Sequence, residues 1–247
     1  MAPFPFTHMK YIYGPVKSRR LGSSLGINLM PYKICNFDCI YCQLGVTLYK
    51  VSEREEYVKI KDIIDELRLW LENNAARART LRYITISGSG EPTLHIRIGD
   101  LIGEIKKIAS IPVAVITNAS LLNIAKVRQA LVSADVIVPS LDAVDTEVFQ
   151  KIDRPHKDLR LTDIINGLIK LRQEFSGEIW LEVMLVKGVN DDPRHIRRLK
   201  EIIERINPDK IQLNSPVRAT AEKNVQPVDR SKLEKFKEIL GDRCEII

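Results

Sequence analysis

Short β-branched apolar runs alternate along the chain with longer stretches in which apolar residues return every three or four positions. The runs are SLGINL (24–29), YITISG (83–88), VAVITN (113–118), DVIVPSL (135–141), IWLEVMLV (179–186) and KIQLNS (210–215). Most are almost continuously apolar, the pattern of strands buried on both faces. Between them the period lengthens. In YVKIKDIIDELRLWLENNAARA (57–78), Ile60, Ile63, Ile64, Leu67 and Leu71 share one helical stripe. Similar stripes run through 98–110 and 123–134. The stretch 162–175 opens on Thr162, a predicted N-cap. The stretch 193–206 opens on Pro193, favoured in a first helical turn, and 229–240 stops at Gly241.

Six strands alternating with helices predict an α/β fold with a parallel sheet. Such a sheet is either doubly wound and open or part of a (β/α) barrel. A complete eight-unit barrel takes about 250 residues without extensions, so a partial barrel fits this chain better. The expected architecture is a partial (β/α)6 TIM-type barrel with a parallel six-stranded sheet, in one domain over 1–247. It divides into an N-terminal extension (1–23), a barrel core (24–215) and a C-terminal helical extension (216–247). An incomplete barrel leaves a lateral opening, which suits a large substrate.

In either architecture the site lies at the C-terminal ends of the strands. The first strand is followed by KICNFDCIYCQLG (33–45), and the second runs into SGSGEPTLH (87–95). The third ends in Thr117 and Asn118, the fourth in Ser140 to Asp142, the fifth in Lys187 to Asp191 and the sixth in Asn214 and Ser215. Polar groups thus stand at every strand end and can converge on one place.

Composition narrows the setting. Hydrophobic residues make up 45% of the chain and charged ones 28%, so a large core needs no disulfides. No run of about 18 apolar residues occurs, so no membrane span is expected. The opening MAPFPFTHMK lacks a basic region followed by an apolar one, so a secretory signal is not expected and a cytoplasmic location is. In that reducing setting, clustered cysteines read as metal ligands or catalytic thiols. The net charge of +6 fits a polyanionic partner such as RNA, and equally the charged surface of a heat-stable protein.

Three of the four cysteines, Cys35, Cys39 and Cys42, stand in a C-x3-C-x2-C loop. Zinc usually takes four ligands, commonly as two separated pairs, and here Cys244 is the one cysteine left. An iron–sulfur cluster normally uses four cysteines; three leave one iron open to a substrate or cofactor.

This loop, with Tyr41 before its last cysteine and a strand before it, resembles the signature of the radical S-adenosylmethionine (SAM) superfamily. The resemblance implies a [4Fe-4S] cluster on Cys35, Cys39 and Cys42. It further implies SAM on the fourth iron and cleavage of SAM to a 5′-deoxyadenosyl radical that abstracts hydrogen from a substrate. Gly88, Ser89, Gly90, Glu91 and Pro92 look like the family's Gly-Gly-Glu-Pro segment, which implies binding of the methionyl amino group. Glycines let backbone approach a ligand closely, and a carboxylate accepts from an ammonium. By the same resemblance Thr117 and Asn118 lie where SAM is contacted, Ser140 and Asp142 near the ribose, and Lys187 and Asn190 near the SAM carboxylate and adenine.

The stretch 14–45 resembles the archaeal and bacterial relatives of the wyosine-type tRNA enzymes. This implies a tRNA nucleoside as a possible substrate. The chain departs from those enzymes in having no cysteine before Cys35 and no flavodoxin segment. A second three-cysteine cluster cannot be built, and a separate ferredoxin- or flavodoxin-type electron donor is expected. A radical SAM activase or peptide-modifying enzyme is the alternative within the superfamily, and a zinc-bound RNA-binding module is the alternative outside it.

Each candidate also has a plainer reading. Gly88 to Pro92 can be a turn. Thr117, Asn118, Ser140, Asp142 and the Asn190–Asp191 pair can be strand-end and cap residues. Lys187 can face solvent, Arg154 can form a surface ion pair, and His95 and His156 can be structural. Cys244 can be a small buried apolar side chain. Arg19 and Arg20 can grip a phosphate or carboxylate, or serve as surface charge.

Overall fold

A computed structural model describes residues 9–247; residues 1–8, part of the stretch read above for a secretory signal, lie outside the described residues. Eight strands form one sheet in chain order: β1 (Ile12–Ser18), β2 (Gly22–Asn28), β3 (Tyr83–Ser87), β4 (Val113–Thr117), β5 (Val136–Pro139), β6 (Glu178–Met184), β7 (Lys210–Asn214) and β8 (Cys244–Ile246). Strands β2 to β8 pair in parallel and β1 runs antiparallel to β2. The sheet is open, with β1 and β8 at its edges.

All six expected strands are present, and the partial-barrel reading holds with two strands more than expected. Strand β1 lies in the segment read as an extension, and β8 lies in the segment read as helical. Pro15 interrupts β1, where the register shifts between Tyr13 and Val16. An edge strand tolerates a proline and a bulge there. Strand β8 is three residues long, too short to show a period.

The helices are α1 (Ile60–Asn73), α2 (Ala75–Ala78), α3 (Ile98–Ile108), α4 (Ala125–Leu131), α5 (Thr146–Ile152), α6 (Leu161–Glu174), α7 (Pro193–Ile206) and α8 (Arg230–Leu240). The expected 57–78 helix breaks at Asn74, whose side chain donates to Trp70 O at 2.9 Å. Such side-chain bonding competes with the helical ladder. Thr162 sits inside α6 rather than capping it, and Arg160 holds the cap position without a side-chain bond. Helix α7 does start at Pro193, with Asp192 accepting from Arg194 N at 2.8 Å. Helix α5 has no counterpart among the expected elements; Asp145 caps it through Glu147 N and Val148 N. No helix is long and apolar enough to cross a membrane among the described residues.

Two apolar clusters follow from the strand alternation. One lies between sheet and helices, where Ile84, Ile86, Val113, Val115 and Ile137 meet the buried stripes of the helices. The other fills the inner face of the curved sheet near the strand starts, with Leu21, Ala114, Val136, Val138 and Trp180 packed against Tyr83 and Ile116. Farther along the same strands the inward residues turn polar. Thr85, Ser87, Glu182 and Asn214 line a cavity instead of a core.

Candidate functional site

The cavity holds about 720 Å³ and lies at the C-terminal ends of the strands. Cofactor and substrate pockets typically measure about 300–1,000 Å³. Cys35, Cys39 and Tyr41 line it from the loop after β2, and Gly88 to Glu91 line it from the loop after β3.

The cysteine loop has few partners of its own and is pinned by its surroundings. Asp38 N and Ile40 N donate to Asp153 O and Ile152 O at the end of α5, both at 3.0 Å. Phe37 stacks edge-on against Phe149 with ring centres 5.5 Å apart. Val51 N returns to Cys35 O at 3.0 Å, and Thr47 N donates to Asp38 Oδ1 at 2.6 Å. Within this frame Cys42 N donates to Cys39 O at 3.0 Å, so the three thiols hang from one tight loop. All three side chains are partly exposed. Burial of their sulfur atoms pushes the Cys35 thiol up to about 12 and raises that of Cys39 strongly, with the neighbouring Asp153 adding to the latter. A bare thiolate is thus disfavoured here, and a bound cation would offset that cost.

The glycine-rich loop locks onto the cysteine loop through backbone. Glu91 N donates to Ile34 O at 3.0 Å. A Cβ on Gly90 would stand 1.8 Å from Ile34 O, and one on Gly88, at φ +117°, would stand 2.3 Å from Asn28 Oδ1. No side chain fits at either position. Asn28 clamps this loop at the end of β2, accepting from Ser89 N at 2.9 Å and donating to Ser89 Oγ at 3.1 Å.

Glu91 is buried and richly bonded. Its Oε1 accepts from Thr93 N (3.0 Å), Thr93 Oγ1 (2.6 Å) and Thr117 Oγ1 (2.6 Å). Its Oε2 accepts from Asn118 N at 2.7 Å and keeps room for another donor. Burial raises its pKa, and these four bonds work against that. Asn118 then spans to the cysteine loop. Its Nδ2 donates to Asn36 Oδ1 at 2.8 Å and stands 3.8 Å from Cys35 Sγ.

The strand-end candidates divide. Ser140 and Asn118 line the cavity with Thr117. Asp142 does not; it is buried behind the cysteine loop, where it accepts from Tyr41 OH and, at 2.8 Å, from Met184 N. Burial lifts its pKa to about 7, and burial, with Asp142 next in effect, raises that of Asp153 well above the usual carboxylate range. Asn190 is a buried tie, donating to Asp142 O and Met184 O, both at 2.8 Å, and accepting from Val186 N at 2.7 Å. Lys187 is exposed and pairs with Asp229 at 3.1 Å. Asp142, Lys187 and Asn190 do not line this cavity: Asp142 ties Tyr41 to Met184, Asn190 ties the loop after β6, and Lys187 pairs with Asp229.

Among the other candidates, Arg154 pairs with Glu222 at 2.6 Å and Asp38 at 3.6 Å. His95 is buried with Nε2 2.8 Å from Val58 O, and His156 lies 3.4 Å from Asp158. Sequence reasoning missed Asn28, Asn36, Tyr13 and Asp153. Of these, only Asn28 carried a signal, as a polar residue closing an apolar strand run.

The arrangement discriminates between metals. Among the described residues no three His, Cys, Asp or Glu side chains converge on one ion position. Cys244 begins β8 opposite Ile211, at the far end of the sheet from the cysteine loop. A four-ligand zinc site has no geometry here. A multi-iron cluster needs no such convergence, because each thiolate takes its own iron. The donor set fits that group.

Comparison with known proteins agrees. A profile of the radical SAM superfamily matches residues 29–199, and the chain belongs to that superfamily. Within it the chain is 38% identical over 241 residues to a UPF0026 protein of Methanocaldococcus jannaschii, covering 97% of this chain and 73% of that one. It is also 41% identical over 237 residues to a protein of Brachyspira hyodysenteriae named GTPase Obg, covering 96% of this chain but 34% of that protein. This chain spans about a third of that relative. It contains no Gly-Lys dipeptide, which a phosphate-binding P-loop requires. Among solved structures, TYW1 with a lysine-pyruvate adduct bound aligns at TM-score 0.64 and 20% identity, over 90% of this chain and 74% of that one. Membership in this superfamily implies, in general, a [4Fe-4S] cluster and SAM.

Proposed function

We propose that Cys35, Cys39 and Cys42 hold the [4Fe-4S] cluster and that SAM binds in the adjoining cavity against Gly88 to Glu91. The chemistry such a cluster supplies, when bound, is one-electron cleavage of SAM to methionine and a 5′-deoxyadenosyl radical that abstracts hydrogen. The observation that carries this reading is the direct backbone lock between the two loops, Glu91 N to Ile34 O at 3.0 Å, at the mouth of one cavity.

The chain's own residues then divide the work. Gly88 and Gly90 bring backbone to the cavity wall where any Cβ would collide. Glu91 Oε2 keeps a lone pair for an ammonium donor. Asn118 fixes Asn36 and with it the turn between Cys35 and Cys39. Ser140 and Met184 complete the wall beyond β5 and β6.

A tRNA nucleoside is the proposed substrate, supported by the resemblance of 14–45 and by the net charge of +6. A separate electron donor is proposed as partner, and the cytoplasm as location. The test is anaerobic. After reconstitution, iron and sulfide are counted, and dithionite with SAM is assayed for 5′-deoxyadenosine. About four irons per chain with cleavage is expected; zinc without cleavage overturns the reading. Bulk tRNA added under the same conditions should bind, with affinity falling steeply as salt rises.

A further inference from the structure

The cavity is larger than the part bounded by the two signature loops. Its other wall is built by β1, the β1–β2 turn and the loop after β7, none of which the cofactor reading uses. That wall is strongly cationic. Lys10, Lys17, Arg19, Arg20 and Arg218 line the cavity, against two carboxylates, Glu91 and Glu182. Glu91 accepts from four internal donors and lies with the glycine-rich loop, and Glu182 pairs with Arg20 while accepting from Asn214 Nδ2 at 2.8 Å. Among the described residues no carboxylate side chain pairs with Lys17, Arg19 or Arg218. Arg19 donates to Ile247 O at 3.1 Å and Arg218 to Gln43 Oε1 at 2.8 Å. Counting the Ile247 oxygen as a full negative charge still leaves a cationic excess.

These guanidiniums are close enough to oppose one another. Arg19 is lowered below its usual range, first by desolvation and then by repulsion from Arg20 and Arg218. Lys17, Arg19 and Arg218 are exposed along this side of the cavity, where an entering anion would meet several cations at once. Arginine forks match the oxygens of a phosphate. On the same wall Tyr13 lines the cavity, its hydroxyl 2.6 Å from Ser87 Oγ.

We propose that Arg19 and Arg218, with Lys17 beside them, form a phosphate-binding subsite that holds the substrate in the cavity. This rests on the enzymatic reading above and deepens it: the substrate is a phosphorylated molecule, and the wall supplied by β1 and the loop after β7 selects it.

The probes are pyrophosphate and bulk tRNA, titrated into the reconstituted holoenzyme with SAM present. Pyrophosphate is expected to bind. Arg19→Ala with Arg218→Ala should weaken it by about a hundredfold, roughly tenfold for each charge-assisted hydrogen bond removed. Arg19→Lys with Arg218→Lys should fall between, and Lys223→Ala, exposed and outside the cavity, should match wild type. SAM affinity and melting temperature should hold in all of these variants. Failure of wild type to bind pyrophosphate overturns the proposal. So does a loss of SAM affinity in the alanine variant, which would assign the cations to the cofactor's carboxylate. If pyrophosphate displaces tRNA, the phosphate comes from RNA and both readings stand. If pyrophosphate binds through these arginines and tRNA is unaffected, the subsite stands, the tRNA reading fails, and the source is a small phosphorylated molecule.

Discussion

The two ends of the same inner sheet face differ in what they spend their side chains on. Toward the strand starts, Leu21, Ala114, Val136, Val138 and Trp180 close the lumen as a dry plug. Toward the strand ends the same alternation yields Thr85, Ser87, Glu182 and Asn214, and space. One end stabilises by burial, about 1.5–3 kcal/mol for each large apolar side chain. The other holds groups against their own preference: desolvated thiols and, behind them, the buried carboxyls of Asp142 and Asp153. Barrel folds divide stability and chemistry in this way between their two faces.

The sharpest test of that division is a substitution at each end. Cys39→Ala should abolish iron retention and SAM cleavage while leaving the apolar plug and the melting transition of the metal-free protein nearly unchanged. Full iron content in this variant would break the assignment. Trp180→Ala should do the reverse. Trp180 packs edge-on against Tyr83 at 5.9 Å and under Lys210 Nζ at 4.0 Å. Its loss should cost about 3–5 kcal/mol of stability by chemical denaturation. SAM cleavage per folded molecule should stay within about twofold of wild type. A loss of cleavage out of proportion to the loss of folded protein would mean that the ends are coupled.

The sequence reveals the two ends unequally. The cysteine loop and Gly88 to Glu91 are legible because their chemistry is packed into a few consecutive residues. The six long strands are legible because burial on both faces leaves continuous apolar runs. What joins these parts is not legible. Asn36 meets Asn118 across 82 positions, and Cys39 meets Asp153 across 114. Asn36 and Asp153 are not marked by local pattern. Lys187 and Asn190 show the converse case. A polar group at a strand end either faces the cavity or ties its own loop, and residue type does not say which. Strand β1 is hidden by Pro15, although it forms one wall of the cavity.

A smaller effect is expected at Glu91, which serves both the scaffold and the cavity. Glu91→Gln replaces an acceptor with a donor against Thr93, Thr117 and Asn118, all of which donate. One donor is left facing another, at a cost of about 1–3 kcal/mol. Because Glu91 joins the loop after β3 to the end of β4, SAM affinity should fall together with stability. Equal SAM affinity in the folded variant would reduce Glu91 to scaffolding alone.

The smallest expected effect is a pH dependence, and its sign is unusual for an aspartate. Burial raises the folded pKa of Asp142 from 3.8 to about 7. The folded state therefore holds its proton more tightly than the unfolded chain. The associated stability is fully present below pH 3.8 and is lost as pH rises through about 7. For most carboxylates, paired with cations, the sign is opposite. Asp142 accepts from Tyr41 OH and Met184 N, and those donors limit the shift without reversing it. The metal-free, reduced protein should thus melt at a lower temperature at pH 8 than at pH 5.5, by an amount on the order of 1 kcal/mol. Asp142→Asn cannot ionise and should make that slope shallower; because burial also raises Asp153, only Asp142→Asn with Asp153→Asn should flatten it. The one carboxyl that Trp180 contacts through its indole N–H, Glu178 at 2.6 Å, is exposed, so Trp180→Ala should lower the whole curve with little change of slope. A slope that survives both substitutions would assign the titration to a group outside this pair.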